Sequence, residues 1–251
     1  YNVLRAASFN VVKHYNLPIG LLQIGDNADF IEIDNVENFN ILKTYINGDL
    51  VADNGESFIQ SVEAPVVNNF NCNFKQPSDF KIKNESDTIR VIEALDGQLI
   101  THEIQSKSLV INGFSESNID EDILKIAVVN RYNDAPVATA FIKNIGLKSG
   151  AIASCVAHDC HNIVVVGTND EDICKAVNAI IKAKGGISLA TANEELVLEL
   201  PIAGIMTNLP AEEVAALYIK LDRRAKELGS KLRAPYMSLS FMALLVIPEL
   251  K

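Results

Sequence analysis

Residues Gly150 to Gly167, reading GAIASCVAHDCHNIVVVG, constrain the fold more than any other stretch of the chain. Two runs of small and β-branched apolar residues, Ala151 to Ala157 and Asn162 to Gly167, flank a polar turn of His158, Asp159, Cys160 and His161. Both runs read as buried strands, and the sequence predicts a sheet backed by amphipathic helices in an α+β layer arrangement. The following TNDEDICKAVNAIIKAKGG supplies one such layer. Ile173, Val177, Ile180 and Ile181 fall on one helical stripe, Thr168 and Glu171 have capping-box spacing, and Gly185-Gly186 is the expected stop.

The rest of the chain extends this pattern. Strands are expected at Arg90 to Leu95, Leu99 to Ile104, Leu109 to Ile111, Ile123 to Val129 and Ala138 to Ile142, with polar turns such as Asp96-Gly97 and Asn112-Gly113 between them. A hairpin of Ile187 to Ala192 and Leu196 to Leu200 turns at Asn193-Glu194. A helix from about Pro210 to Leu228 directs Val214, Leu217, Leu221, Ala225 and Leu228 inward. In APYMSLSFMALLVIP, Met237, Ser238 and Ser240 read as a core strand with a polar edge. The fold class is therefore α+β with largely antiparallel sheet.

Upstream the punctuation changes. YNVLRAASFNVVKHY reads as a single helix with Val3, Leu4, Ala7, Val11 and Val12 on one face, already under way at Tyr1. Phe30, Ile31 and Ile33 form one strand and Leu42, Tyr45 and Ile46 another, with Asn47-Gly48 suited to a tight hairpin turn. The Asn- and Pro-rich VEAPVVNNFNCNFKQPS reads as a linker, which puts a domain boundary at about Ala64.

Several function classes are excluded. The formal charge of −10 is wrong for wrapping a nucleic-acid backbone. The longest apolar run, Phe241 to Ile247, is far short of the roughly 18 residues needed to span a bilayer. Cys72, Cys155, Cys160 and Cys174 lack disulfide-scaffold spacing, and reduced thiols in a cytoplasm account for them most simply. The glycines form neither a dinucleotide nor a phosphate-loop fingerprint. The His-x-Glu and Pro-Cys-x-x-Cys pair of zinc cytidine-type deaminases is missing as well.

Two local constellations remain. Cys155, His158, Cys160 and His161 place four metal-type donors within seven residues, but they come from one segment and Cys155 sits in an apparent strand, so no metal is expected on them. His158, Asp159, His161 and Asn162 form the candidate site. Either an imidazole oriented by a carboxylate serves acid–base chemistry or a domain interface, or the Asp and Asn side chains simply build the turn. His14 suits the carbonyl end of the first helix, His102 lies in a strand without an inferred partner, and Asp170, Glu171 and Asp172 suit a helix amino terminus.

The block from Gly150 through TNDEDICKAVNAIIKAKGG, together with LELPIAGIM, resembles the carboxy-terminal domain of bacterial adenine deaminases. Gly20, Gly25, Asp26, Ala28 and Asp29, between the first helix and the Asn-Gly hairpin, resemble the segment by which amidohydrolase barrels close and return to a small β-sandwich. The resemblance implies residues 1–17 as the closing helix of a barrel, 18–64 as a β-sandwich segment and 65–251 as the carboxy-terminal α+β domain. It also implies a cytoplasmic purine-salvage hydrolase that converts adenine to hypoxanthine and ammonia. Its divalent metal, whether manganese, iron or zinc, would lie in an upstream barrel of about 250 residues. No cofactor is assigned to this chain. The expected partners are that barrel and further copies in a homo-oligomer, with no nucleic acid or membrane. The alternative is a catalytically inactive stand-alone binding or assembly module derived from such an enzyme.

Overall fold

The computed structural model describes residues 1–246 and Glu249; the Ile247 end of the longest apolar run, with Pro248, Leu250 and Lys251, lies outside the described residues. The chain divides into two compact units, Tyr1–Glu63 and Ala64–Lys251.

In the first unit the expected single helix is two, α1 (Asn2–Ala7) and α2 (Phe9–Tyr15). The break falls at Ser8, which has φ −124° and ψ −78° and whose hydroxyl donates to the Leu4 carbonyl at 2.6 Å, a local bond that competes with helix continuation. Neither helix buries a residue, and Val3, Leu4 and Val11 of the anticipated apolar face are exposed. An antiparallel meander follows in the order β1 (Phe30–Ile33), β2 (Ile41–Ile46), β3 (Asp49–Asp53) and β4 (Glu56–Ser57). Asn47-Gly48 turns between β2 and β3 with both residues at positive φ, 52° and 87°, the backbone that two-residue hairpins require. The Asp29 carboxylate accepts from the Gly20 and Asn47 amides at 2.8 Å each, and those bonds hold its carboxyl below the usual range.

The second unit runs β5 (Ile82–Lys83), β6 (Thr88–Ala94), β7 (Thr101–Lys107), β8 (Leu109–Ile111), β9 (Phe114–Glu116), β10 (Ile123–Val129), β11 (Ala138–Lys143), β12 (Ala151–Ser154), β13 (Ile163–Gly167), α3 (Asp170–Ala183), β14 (Gly186–Ala190), β15 (Glu195–Glu199), α4 (Ala211–Glu227) and α5 (Pro235–Phe241). Eight strands form one sheet in the order β15-β14-β12-β13-β10-β11-β6-β7, antiparallel at every step except β11 beside β6. β5, β9 and β8 make a small second sheet. The architecture is α+β with mostly antiparallel pairing.

Alternation explains why β13 reads as an unbroken apolar run. Ile163 and Val165 join the core beneath α3, whereas Val164 and Val166 join the opposite core beneath α4 and α5. The sheet is thus a middle layer.

Local details depart from the sequence pattern. The α3 cap is Asn169, whose side chain accepts from the Asp172 amide at 2.8 Å, while Thr168 instead donates its hydroxyl to the Gly150 carbonyl. Asparagine serves the free amides as well as threonine does, and Thr168 is held by the neighbouring strand end. The left-handed cap is Lys184 at φ 58°, so Gly186 is free to open β14. Met237, Ser238 and Ser240 lie in helix, not strand: Pro235 is at the first helical turn, and Tyr236, Leu239 and Met242 bury at three-residue spacing. Leu217, expected inward, is exposed.

Candidate functional site

The turn between β12 and β13 is longer than its sequence pattern suggests, running from Cys155 to Asn162. Pairing of β12 with β14 ends at Ser154, where the Ser154 hydroxyl accepts from the Val156 amide at 3.0 Å. Cys155 is then wholly buried, its sulfur donating to the Gly204 carbonyl at 2.7 Å and accepting from the Gly186 amide at 3.0 Å. Burial pushes its thiol up to about 11. Cys155 is therefore inert packing between the sheet and the 201–206 loop.

The four candidate residues share one turn but point into different surroundings. The His158 amide donates to the Ser240 carbonyl at 2.9 Å, and its ring stacks on Phe241 with centroids 4.5 Å apart and planes 12° from parallel. His158 lines a cavity of about 250 Å³ that it shares with Ser154, Tyr218, Tyr236 and Ser240. Asn162 and Cys160 border a different cavity of about 320 Å³, walled mainly by Ile92, Ile126, Ala140 and Met242. Asp159 is exposed, and no hydrogen bond joins its carboxylate to either imidazole. His161 closes the turn through its amide, which donates to the Ala157 carbonyl at 2.8 Å, and its Nδ1 is buried without a hydrogen-bond partner. Burial, then the nearby charges of Arg131 and His158, pushes the His161 imidazole below its ordinary value, which favours the neutral ring.

A residue the sequence pattern did not single out organises this turn. Arg131 is only 5% exposed and pairs with no carboxylate among the described residues. One guanidinium nitrogen donates to the Ala203 carbonyl at 2.7 Å and another to the Tyr132 hydroxyl at 3.1 Å, while Nε is buried and unpartnered. The guanidinium lies over the rings of Tyr132 and Phe70, at 4.7 and 5.8 Å from their centroids, so ring faces take the place of a counter-ion. The Tyr132 hydroxyl in turn donates to the Cys160 carbonyl at 3.0 Å, and the Arg131 amide donates to the Asn162 side-chain oxygen at 3.2 Å. Gly204 is required beside it: a Cβ there would sit 1.7 Å from Arg131 Nη1, and φ is +79°. No local pattern in NRYND reveals this role, because every partner except Tyr132 is remote in sequence.

A second buried cation did leave a signal. Lys125 interrupts the apolar ILKIAVV, and its ammonium sits 2.7 Å from both Glu116 and Asp170. Asp170 therefore does more than favour the start of α3; it anchors that helix to β10. Among the described residues no group of three or more His, Cys, Asp or Glu side chains is placed to hold a metal ion. Cys155, His158, Cys160 and His161 do not converge, since the Cys155 sulfur is engaged with Gly204 and Gly186. No helix among the described residues is long and apolar enough to cross a membrane.

Comparison with known proteins covers the entire chain. Residues 98–251 match the family described as adenine deaminase C-terminal domain. The adenine deaminase of Borreliella burgdorferi is 49% identical over 253 residues, which take in 100% of this chain and 46% of that protein. Those of Methanosarcina mazei and Salinibacter ruber are 48% and 47% identical, again over 100% of this chain and over 47% and 46% of their own length. The chain spans slightly less than half the length of the curated relatives it matches.

Proposed function

The chain belongs to the adenine deaminase family, and from that premise we propose that it is the carboxy-terminal part of an enzyme hydrolysing adenine to hypoxanthine and ammonia. The observation that carries this reading is an overall identity near one half in alignments that cover the whole chain, both units included. The family resemblance implies a divalent metal, and the described residues of this chain do not fit one. We assign it to the upstream half that the relatives carry, with residues 1–17 completing a barrel there and 18–64 part of a β-sandwich.

What this chain contributes is scaffold and pocket wall. The turn from Cys155 to Asn162 is held from three sides, by Ser240, Gly204 and Arg131, and presents His158 to one cavity and Asn162 to another. An imidazole fixed by stacking on Phe241 is suited to closing or lining a pocket for a flat, uncharged base. Four free thiols and a free-base substrate suit a cytoplasmic setting, and assembly as a homo-oligomer completes the proposal.

The experiment is an ammonia-release assay on three proteins. The polypeptide carrying both halves should deaminate adenine when loaded with metal, and the 251-residue chain should not. His158→Ala in the longer polypeptide should lower kcat/KM at least about tenfold, equivalent to about 1.4 kcal/mol of transition-state stabilisation lost. Deamination by the metal-supplemented short chain would refute the assignment of catalysis to the upstream half. Unchanged kinetics in His158→Ala would leave the turn a purely structural one.

A further inference from the structure

The His158 cavity does not end at His158. It shares Leu200, Ile205, Val214 and Tyr218 with a wider trough of about 500 Å³, so one apolar channel runs from the β12–β13 turn along the first half of α4 to Ile219. The walls of that channel are open to water. Met206 is 52% exposed, Ile219 57% and Met237 53%, and Leu209 is exposed beside them. Helix α4 is fully buried only at Leu221 and Ala225; among its first ten residues Val214 and Tyr218 are half-buried against the core, while Ala211, Ala215, Leu217 and Ile219 are exposed. Contiguous apolar surface of this kind on a folded unit marks a docking site. Its rim is acidic at Glu212 and Glu213, both exposed at the start of the helix.

We propose that this channel is the seat of the upstream half of the same polypeptide, which inserts an apolar ridge flanked by basic residues. The inference rests on the reading given under Proposed function. Two observations select this occupant over a second copy of the chain. More than half of each relative's length lies outside the region matched here, a large covalently linked neighbour held at an effective concentration that a separate copy lacks. The channel also leads straight to His158, so a domain seated in it meets the candidate turn at the channel's inner end. Burial of the ridge would thereby set the position of the His158 turn against whatever pocket the upstream half contains.

Amide hydrogen exchange at residues 205–220 tests this, measured on the longer polypeptide and on the 251-residue chain at two concentrations each. The expected result is exchange at least about tenfold slower in the longer polypeptide, independent of concentration, with exchange in α3 equal in both. A Met206→Asp, Ile219→Asp double variant of the longer polypeptide should lose that protection while α3 keeps its own. Equal exchange in the two proteins, or retained protection in the double variant, overturns the proposal. Protection that appears in the short chain only as concentration rises assigns the channel to a second copy and overturns it too. Ammonia release by the longer polypeptide, measured alongside, separates failure of the docking site from failure of the family reading.

Discussion

Helices α3 and α4 cover opposite faces of the same eight-stranded sheet, yet they use their residues differently. Of the fourteen residues in α3 nine are buried; of the seventeen in α4 only Leu221 and Ala225 are. α3 is capped by Asn169, tied to β10 through Asp170 and Lys125, and inserts Ile173, Val177 and Ile180 with no exposure. α4 starts at Pro210 with no side-chain cap bond and fully buries residues of its second half alone, with Val214 and Tyr218 half-buried ahead of them. Both helices are amphipathic by sequence, so amphipathicity does not distinguish a helix whose partner is already present from one whose partner is elsewhere. One helix belongs to the core; the other is half core and half surface.

The sharpest way to break that contrast is the same substitution on each helix. Val177→Asp places a carboxylate at a site with no exposure inside an apolar cluster, and the chain should lose its cooperative unfolding transition, a loss of more than about 4 kcal/mol. Ile219→Asp should leave the stability of the 251-residue chain within about 0.5 kcal/mol, followed by urea unfolding under circular dichroism. If Ile219→Asp unfolds the chain as well, the exposed half of α4 is covered within this chain and the contrast fails. A smaller effect resolves the two halves of α4. Leu221→Ala should cost about 2–5 kcal/mol through the cavity it leaves, and Leu217→Ala should cost under about 0.5 kcal/mol.

The smallest effect concerns the turn between the two helical layers. His161 has its proton affinity depressed in the fold, so below its ordinary value of 6.5 the unfolded chain binds more protons than the folded one. Stability therefore holds above pH 6.5 and declines as pH falls from there through the lower folded value. His161→Gln should flatten that part of the stability profile, read from urea midpoints between pH 7 and pH 5. A profile unchanged by the substitution would show that the ring is not constrained by burial.

Much of the frame was legible because periodicity survives in short segments. β13 and the α3 stripe at Ile173, Val177, Ile180 and Ile181 follow from residue order alone. Where the pattern misled, a competing local bond or a distant neighbour was responsible. Ser8 turned one expected helix into two through its hydroxyl, and Asn169 took the capping place that Thr168 gave up to Gly150. Met237, Ser238 and Ser240 alternate plausibly for a strand, but Tyr236 is drawn to the sheet by its hydroxyl bond to the Ser188 carbonyl, and Leu239 and Met242 follow on the same helical face. The candidate turn was located by its residues, while the separation of His158 and Asn162 into two cavities was not.

The sequence by itself determined the layered α+β frame, the position of the polar turn and the family, because these depend on local spacing and on identity along the chain. Only the tertiary structure decided that Arg131 is the buried clasp of that turn, that Lys125 pins α3 to β10, and that α4 fully buries only Leu221 and Ala225. Those outcomes depend on which remote groups arrive beside a side chain. A buried guanidinium is stable only if carbonyls and ring faces from distant segments gather around it, and residue order does not encode that proximity in any short window.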